Sequence, residues 1–160
     1  MAVKTLTELT ALDALVLPGG ESTAIGKLMR EYGFIDAIRQ FAEHKPVLGT
    51  CAGMILLAKH IVGGEPAHLQ LMDISVQRNA FGRQVDSFQT DLAVKGLTEP
   101  FPAVFIRAPY IASIDSSAVE ILAEFEGNVV LAKQSNLLAC SFHPELTADP
   151  RIMQLFLNLA

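Results

Sequence analysis

The 160-residue chain has no apolar run approaching the roughly 20 residues that a membrane-spanning helix needs. Its first residues also lack the charged, apolar and small-residue blocks of a signal peptide. These absences predict a soluble, cytoplasmic protein with no membrane partner. Only two cysteines are present, Cys51 and Cys140, too few for a disulfide framework, so reduced thiols are expected. Basic residues are scattered and the formal net charge is -5, which leaves no positive stripe for a phosphate backbone to follow. Nucleic-acid binding is disfavoured, and a small molecule or a protein is the expected partner. No repeat, low-complexity block or Pro/Ser-rich linker divides the sequence, which predicts one domain over residues 1–160.

What is abundant is apolar: 51% of the residues are hydrophobic. A chain of this length can bury about two-thirds of the surface its unfolded form exposes. Ala14-Leu15-Val16-Leu17 is a continuous apolar run stopped by Pro18-Gly19-Gly20, which predicts a buried strand leading into a loop, with Ser22 or Thr23 as the cap of a following helix. From Ala24 to His44 apolar residues recur at helical spacing on both sides of Gly33, which predicts two short helices. Pro46 to Thr50 reads as a second buried strand and Ala52 to Val62 as a helix ended by Gly63-Gly64. Further strands are expected at Ile74–Gln77, Ala103–Arg107, Val119–Glu126, Val129–Lys133 and Leu137–Phe142, with Gly127-Asn128 as a hairpin turn. Asp149-Pro150 should open a last helix, Asp as cap and Pro at its first position. Strands alternating with helices, then strands in series, predict an α/β three-layer sandwich with a mostly parallel central sheet to which the second half adds antiparallel strands.

Gly49-Thr50-Cys51-Ala52-Gly53 places a cysteine between small residues where a strand turns sharply into a helix. This is nucleophile-elbow architecture, and a helix N-terminus there favours a thiolate. The alternative is a buried structural thiol. Ser141-Phe142-His143-Pro144-Glu145 follows the last strand, so an imidazole and a carboxylate come to a strand end, where α/β folds build sites. A thiol needs a base to take its proton, and the base needs an acceptor on its other nitrogen. Cys51, His143 and Glu145 supply those parts, although His143 could equally be a hydrogen-bonded loop histidine. His44, His60 and His68 have no metal-ligand spacing and are read as surface residues, so no metal or cofactor is implied. Pro18 to Thr23 is a glycine loop entering a helix, able to present backbone amides to an oxygen, or else an ordinary turn.

Taken in order, Pro18-Gly-Gly-Glu-Ser-Thr, Gly49-Thr-Cys-Ala-Gly and Ser141-Phe-His-Pro-Glu-Leu resemble the class I glutamine amidotransferases, whose fold is flavodoxin-like. Within that superfamily Arg78-Asn-Ala-Phe-Gly-Arg-Gln-Val-Asp-Ser-Phe88 and Phe105-Ile-Arg-Ala-Pro109 are similar to the glutaminase subunits of pyridoxal 5'-phosphate synthases. The resemblance implies that Cys51 attacks the side-chain amide of L-glutamine, that His143 is base and then acid, and that Glu145 orients His143. It further implies Gly20, Glu21, Ser22, Arg78, Ile106 and Arg107 as glutamine-binding residues and Gly19, Gly20 and Ala52 as the oxyanion hole. Arg78 is otherwise readable as a structural ion pair. Glutamate and ammonia would be the products, with ammonia passed to a synthase subunit on which the glutaminase depends for activity.

Members of that family begin with a strand and helix carrying a Gly-Val-Leu-Ala-Leu-Gln-Gly-Ala type segment, where this chain has Met1 to Leu9. A shortened form is therefore expected, with its nucleophile strand left unpaired on one side. Two other readings follow: a form that docks on the synthase without turnover, and a cysteine peptidase-like relative on the same fold.

Overall fold

The computed structural model describes residues 1–79 and 87–160. The continuous apolar runs form the centre of the sheet. β1 (Leu15–Leu17), β2 (Val47–Thr50) and β10 (Leu137–Cys140) lie side by side and parallel, with Leu17 opposite Gly49 and Cys140 opposite Thr50. All residues of β2 and β10 are buried, the pattern of strands covered on both faces. The sheet continues through β9 (Asn128–Gln134), β7 (Tyr110–Ile114) and β4 (Met72–Gln77) to β3 (Ala58–Ile61), and β8 (Glu120–Phe125) pairs with β9. Pairings β10–β9, β9–β7, β7–β4 and β8–β9 are antiparallel, while β3–β4 is parallel. The sheet is thus mixed, its parallel core sitting where the site is built.

Alternating residues of the sheet feed two separate cores. Leu15, Leu17, Val47 and Ala139 face a layer of helices, α1 (Leu6–Thr10), α2 (Ser22–Glu31), α3 (Phe34–Ala42) and α4 (Ala52–Leu57), through Leu9, Met29, Ile38 and Phe41. Leu48, Leu138 and Cys140 face the opposite way, onto α5 (Arg151–Leu157) and a separate two-stranded hairpin of β5 (Ser87–Leu92) and β6 (Phe101–Ile106). Three layers result.

Several expectations need correction. The helix predicted over Ala52–Val62 ends at Leu57, and Ala58–Ile61 becomes β3, its backbone satisfied by pairing with β4 instead of by a continued helix. The cap of α2 is Glu21, whose Oε2 accepts from the Ala24 amide at 2.6 Å, rather than Ser22 or Thr23. The hairpin turn lies one residue earlier: Phe125 pairs with Asn128, and Glu126 and Gly127 take φ values of 50° and 79°, as a two-residue primed turn requires. His68 is 7% exposed and not a surface residue, whereas His44 and His60 are exposed. The nucleophile strand is not open on one side, since β2 pairs with both β1 and β10, and β1 is the edge. β5 and β7 went unread. Gly33, at φ 76°, does separate α2 from α3, a backbone state that an L side chain adopts at a cost. Pro150 is the N-cap of α5 rather than its first helical residue, and Asp149, one position earlier, accepts from the Arg151 amide at 3.0 Å without being the cap residue that was expected.

Close approach fixes Gly53 and Gly26 in different ways. A Cβ on Gly53 would lie 2.1 Å from the Leu17 carbonyl oxygen, and one on Gly26 would lie 2.0 Å from Nδ1 of His68. The first obstacle is backbone and the second a side chain that can shift. Gly26→Ala should therefore destabilise the fold by about 1–3 kcal/mol, the scale of an overpacked core, and Gly53→Ala by about 3 kcal/mol or more. Denaturant midpoints at unchanged m-value test this ordering, and equal midpoints for the two variants would contradict it.

Candidate active site

Cys51 occupies the single residue between β2 and α4, with φ 52° and ψ -109°, outside the allowed regions for a side-chain-bearing residue. Its amide donates to the Cys140 carbonyl at 2.8 Å, which ties the turn to β10. Such a conformation persists only where surroundings over-determine it, and sites of function are where it recurs. Immediately after β10, His143 is held by its own amide, which donates to the Val104 carbonyl of β6 at 2.8 Å. Beneath it Phe142 packs against Phe101 and Phe105, ring centroids 5.7 and 5.6 Å away, so the hairpin serves as the floor for the imidazole. Glu145, in the 3-10 turn Pro144–Leu146, accepts a hydrogen bond from His143 Nδ1 at 2.7 Å. That bond assigns the Nδ1–H tautomer and leaves Nε2 as the basic nitrogen.

The glycine loop closes on both groups. A Cβ on Gly19 would lie 2.8 Å from His143 Cε1 and 3.6 Å from Cys51 Cβ, so only glycine lets the loop reach them. A pocket of about 420 Å³ opens over this centre, lined by Gly20, Glu21, Ser22, Cys51, Ala52, Ile55, Arg78, Asn79, Ile106, Arg107, Pro109 and His143. Of the residues expected at the site, all but Gly19 and Glu145 line it. Ile55, Asn79 and Pro109 also line it and were not foreseen. Pro109 belongs to the Phe105–Pro109 segment already singled out, while Ile55 reaches the pocket from one turn into α4 and carries no sequence signal of its own. The segment from Ala80 to Asp86 lies outside the described residues.

At the far end of the pocket Arg78 is the ion pair that the sequence left as an alternative. Its Nη1 meets Glu65 at 2.6 Å and its Nη2 meets Glu21 at 3.0 Å, while Thr23 Oγ1 accepts at 3.4 Å. It still faces the pocket. Glu65 had not been singled out. The Ala24 amide, ahead of the Arg78 charge, holds the Glu21 carboxyl below the usual carboxylate range. Among the described residues no group of three His, Cys, Asp or Glu side chains could hold a metal.

The thiol itself departs from expectation. Burial pushes Cys51 above the ordinary thiol value, the Ala52 amide pulls the other way, and the Glu145 charge adds a small upward push. The helix start does not win, because one amide is weaker than the loss of hydration. Sγ donates to the Ile106 carbonyl at 3.6 Å rather than to His143.

The model of the SNO glutamine amidotransferase family matches residues 1–160. The chain belongs to that family. Curated relatives include pyridoxal 5'-phosphate synthase subunit PdxT of Actinobacillus pleuropneumoniae, 66% identical over 158 residues, covering 99% of this chain and 81% of the relative. The protein of the same name from Pasteurella multocida is 65% identical, covering 99% and 82%. A crystal structure of a glutamine amidotransferase superposes with a TM-score of 0.92 at 51% identity, covering 98% of this chain and 84% of that one.

The raised thiol has a measurable consequence. Only the thiolate is alkylated, so a group whose ionisation lies above the ordinary value of about 8.5 reacts slowly at pH 7 and about tenfold faster per pH unit until that higher value is passed. Iodoacetamide labelling of the isolated chain, followed by mass spectrometry from pH 6 to 10, should show this slope at Cys51. A rate that levels off below pH 8 would contradict it.

Proposed function

We propose that this chain is the glutaminase subunit of a pyridoxal 5'-phosphate synthase, a single amidotransferase domain that hydrolyses L-glutamine to glutamate and ammonia. The observation that carries the reading is Cys51 on its strained turn in one pocket with a His143–Glu145 pair. Cys51 gives its proton to His143 Nε2, and Sγ attacks the side-chain amide carbon of glutamine. Backbone amides of Gly19, Gly20 and Ala52 stabilise the tetrahedral oxyanion, each donor worth about 3 kcal/mol. His143 returns the proton to the departing nitrogen, ammonia leaves, and a thioester remains on Cys51. Water, deprotonated by His143, then attacks the thioester carbonyl, and glutamate is released as the thiol reforms. Glu145 holds the imidazole in its reactive tautomer throughout. Arg78 receives the substrate α-carboxylate, and Glu21, Ser22, Gly20, Ile106 and Arg107 enclose the rest of the amino acid.

The partner reading has its own support. A thiol whose ionisation is pushed up by burial and which rests on the Ile106 carbonyl describes a poised rather than an active centre. Docking of a synthase subunit that accepts the ammonia would complete it, as the names of the relatives suggest.

Ammonia release from glutamine, measured for the chain and for Cys51→Ala with and without a purified synthase subunit, tests both parts. Release should require Cys51 and be strongly raised by the partner, and Glu145→Gln should lower it by roughly 10²–10⁴-fold, the scale of a general acid–base contribution. Release that persists in Cys51→Ala would refute the nucleophile, and cleavage of peptides in place of glutamine would favour the peptidase relative.

A further inference from the structure

The segment between α4/β3 and β4 is anchored more firmly than an ordinary loop. Arg30 of α2 donates from Nη2 to the Ala67 carbonyl at 3.1 Å and lies 3.2 Å from His68 Nδ1. Arg39 of α3 donates to the Leu69 carbonyl at 2.9 Å and to the His68 carbonyl at 3.3 Å. The amides of Leu69 and Leu71 donate to the carbonyls of Leu56 and Leu57, each at 3.0 Å. The His68 ring fills the notch left by Gly26, so the segment is locked against α2 by shape as well.

From the start of this fixed segment Glu65 reaches the Arg78 guanidinium at 2.6 Å. Glu21 holds the other terminal nitrogen at 3.0 Å. A guanidinium is planar, and acceptors on both terminal nitrogens fix its plane as well as its position. Nε and one Nη2 hydrogen have no partner among the described residues, so the held group still has donors to offer. Without Glu65, Nη1 would keep only the long contact to Thr23 Oγ1 at 3.4 Å, and the plane would be held by one ion pair and one weak hydrogen bond, so that more of the arginine's rotamer freedom would be lost on binding.

On the reading that Arg78 receives the α-carboxylate of glutamine, we infer that Glu65 is a positioning residue for amino-acid recognition: it pre-orients Arg78 against the pocket from a segment clamped to α2 and α3. Glu65 does not touch the substrate. It discriminates in favour of ligands carrying an α-carboxylate, because only those use the group it holds.

The test separates this role from a general structural one. In the complex with the synthase subunit, and in a Cys51→Ala background that cannot turn substrate over, L-glutamine affinity is measured by calorimetry with Glu65 intact and as Glu65→Gln. Weakening of about three- to fivefold is expected, the scale of a partly exposed ion pair. Glu65→Asp, which keeps the charge on a shorter stem, should fall between the two. Affinity for 4-aminobutanamide, which is glutamine without its α-carboxylate, should be unchanged by Glu65→Gln. A change of less than twofold, tighter binding, or an equal loss for 4-aminobutanamide would overturn the inference. Ammonia release by the wild-type complex is scored separately, so failure of the glutaminase reading is distinguishable from failure of this one.

Discussion

The structure depends on a contact made without side chains, where α4 starts hard against β1 and β2. A Cβ on Gly49 would lie 2.4 Å from the Gly53 carbonyl oxygen, and one on Gly53 would lie 2.1 Å from that of Leu17. Strand, helix and neighbouring strand touch backbone to backbone, a separation that only glycine permits. With the helix axis pinned so close, the residue joining it to β2 has no room for an ordinary conformation. Cys51 takes up the misfit with φ 52°, and the Cys140 carbonyl secures its amide. The thiol is thereby presented at the carboxyl end of parallel strands, beside the loops that follow β1 and β10.

That geometry sets the chemistry in both directions. Proximity to the buried sheet removes water from Sγ, which raises the cost of the thiolate more than one helix-start amide lowers it. A thiol with a raised ionisation is a better nucleophile per anion but offers few anions, so the base has to be close and correctly tautomerised. In the proposed reaction His143 is that base, its tautomer set by Glu145 and its position inherited from β6 through one backbone hydrogen bond and the Phe101–Phe105–Phe142 packing. The hairpin on the far face of the sheet is therefore part of the reactive centre even though it contributes no reacting atom.

The reactive end was legible in the sequence because it is encoded by neighbours along the chain. Gly49 to Gly53 sits on one turn, His143 and Glu145 two residues apart, and the apolar runs of β1, β2 and β10 mark strand ends directly. The rest was less legible wherever long-range pairing decides the outcome. Ala58–Ile61 carries helix-compatible residues, and only β4, many residues later, makes it a strand. β5, with its largely polar sequence Ser87 to Leu92, lacks a clean alternating pattern and forms because β6 pairs with it at every position. His68 gives no local sign of burial, since its cavity is the absence of a side chain at Gly26, on another element.

The two ends of the pocket consequently differ in kind. At the sulfur end the positions are set by main-chain turns and tight packing, so a substitution there acts through the fold as much as through chemistry. At the arginine end they are set by side chains from separate elements, Glu21 before α2, Glu65 from the loop ahead of β4, and Arg78 just after β4. Individually, partly exposed ion pairs of this sort contribute little to stability. Their worth lies in orientation, because each is anchored to a rigid element and the arginine is held between two of them. Recognition can then be altered by exchanging side chains while the strained turn that carries the thiol stays as it is.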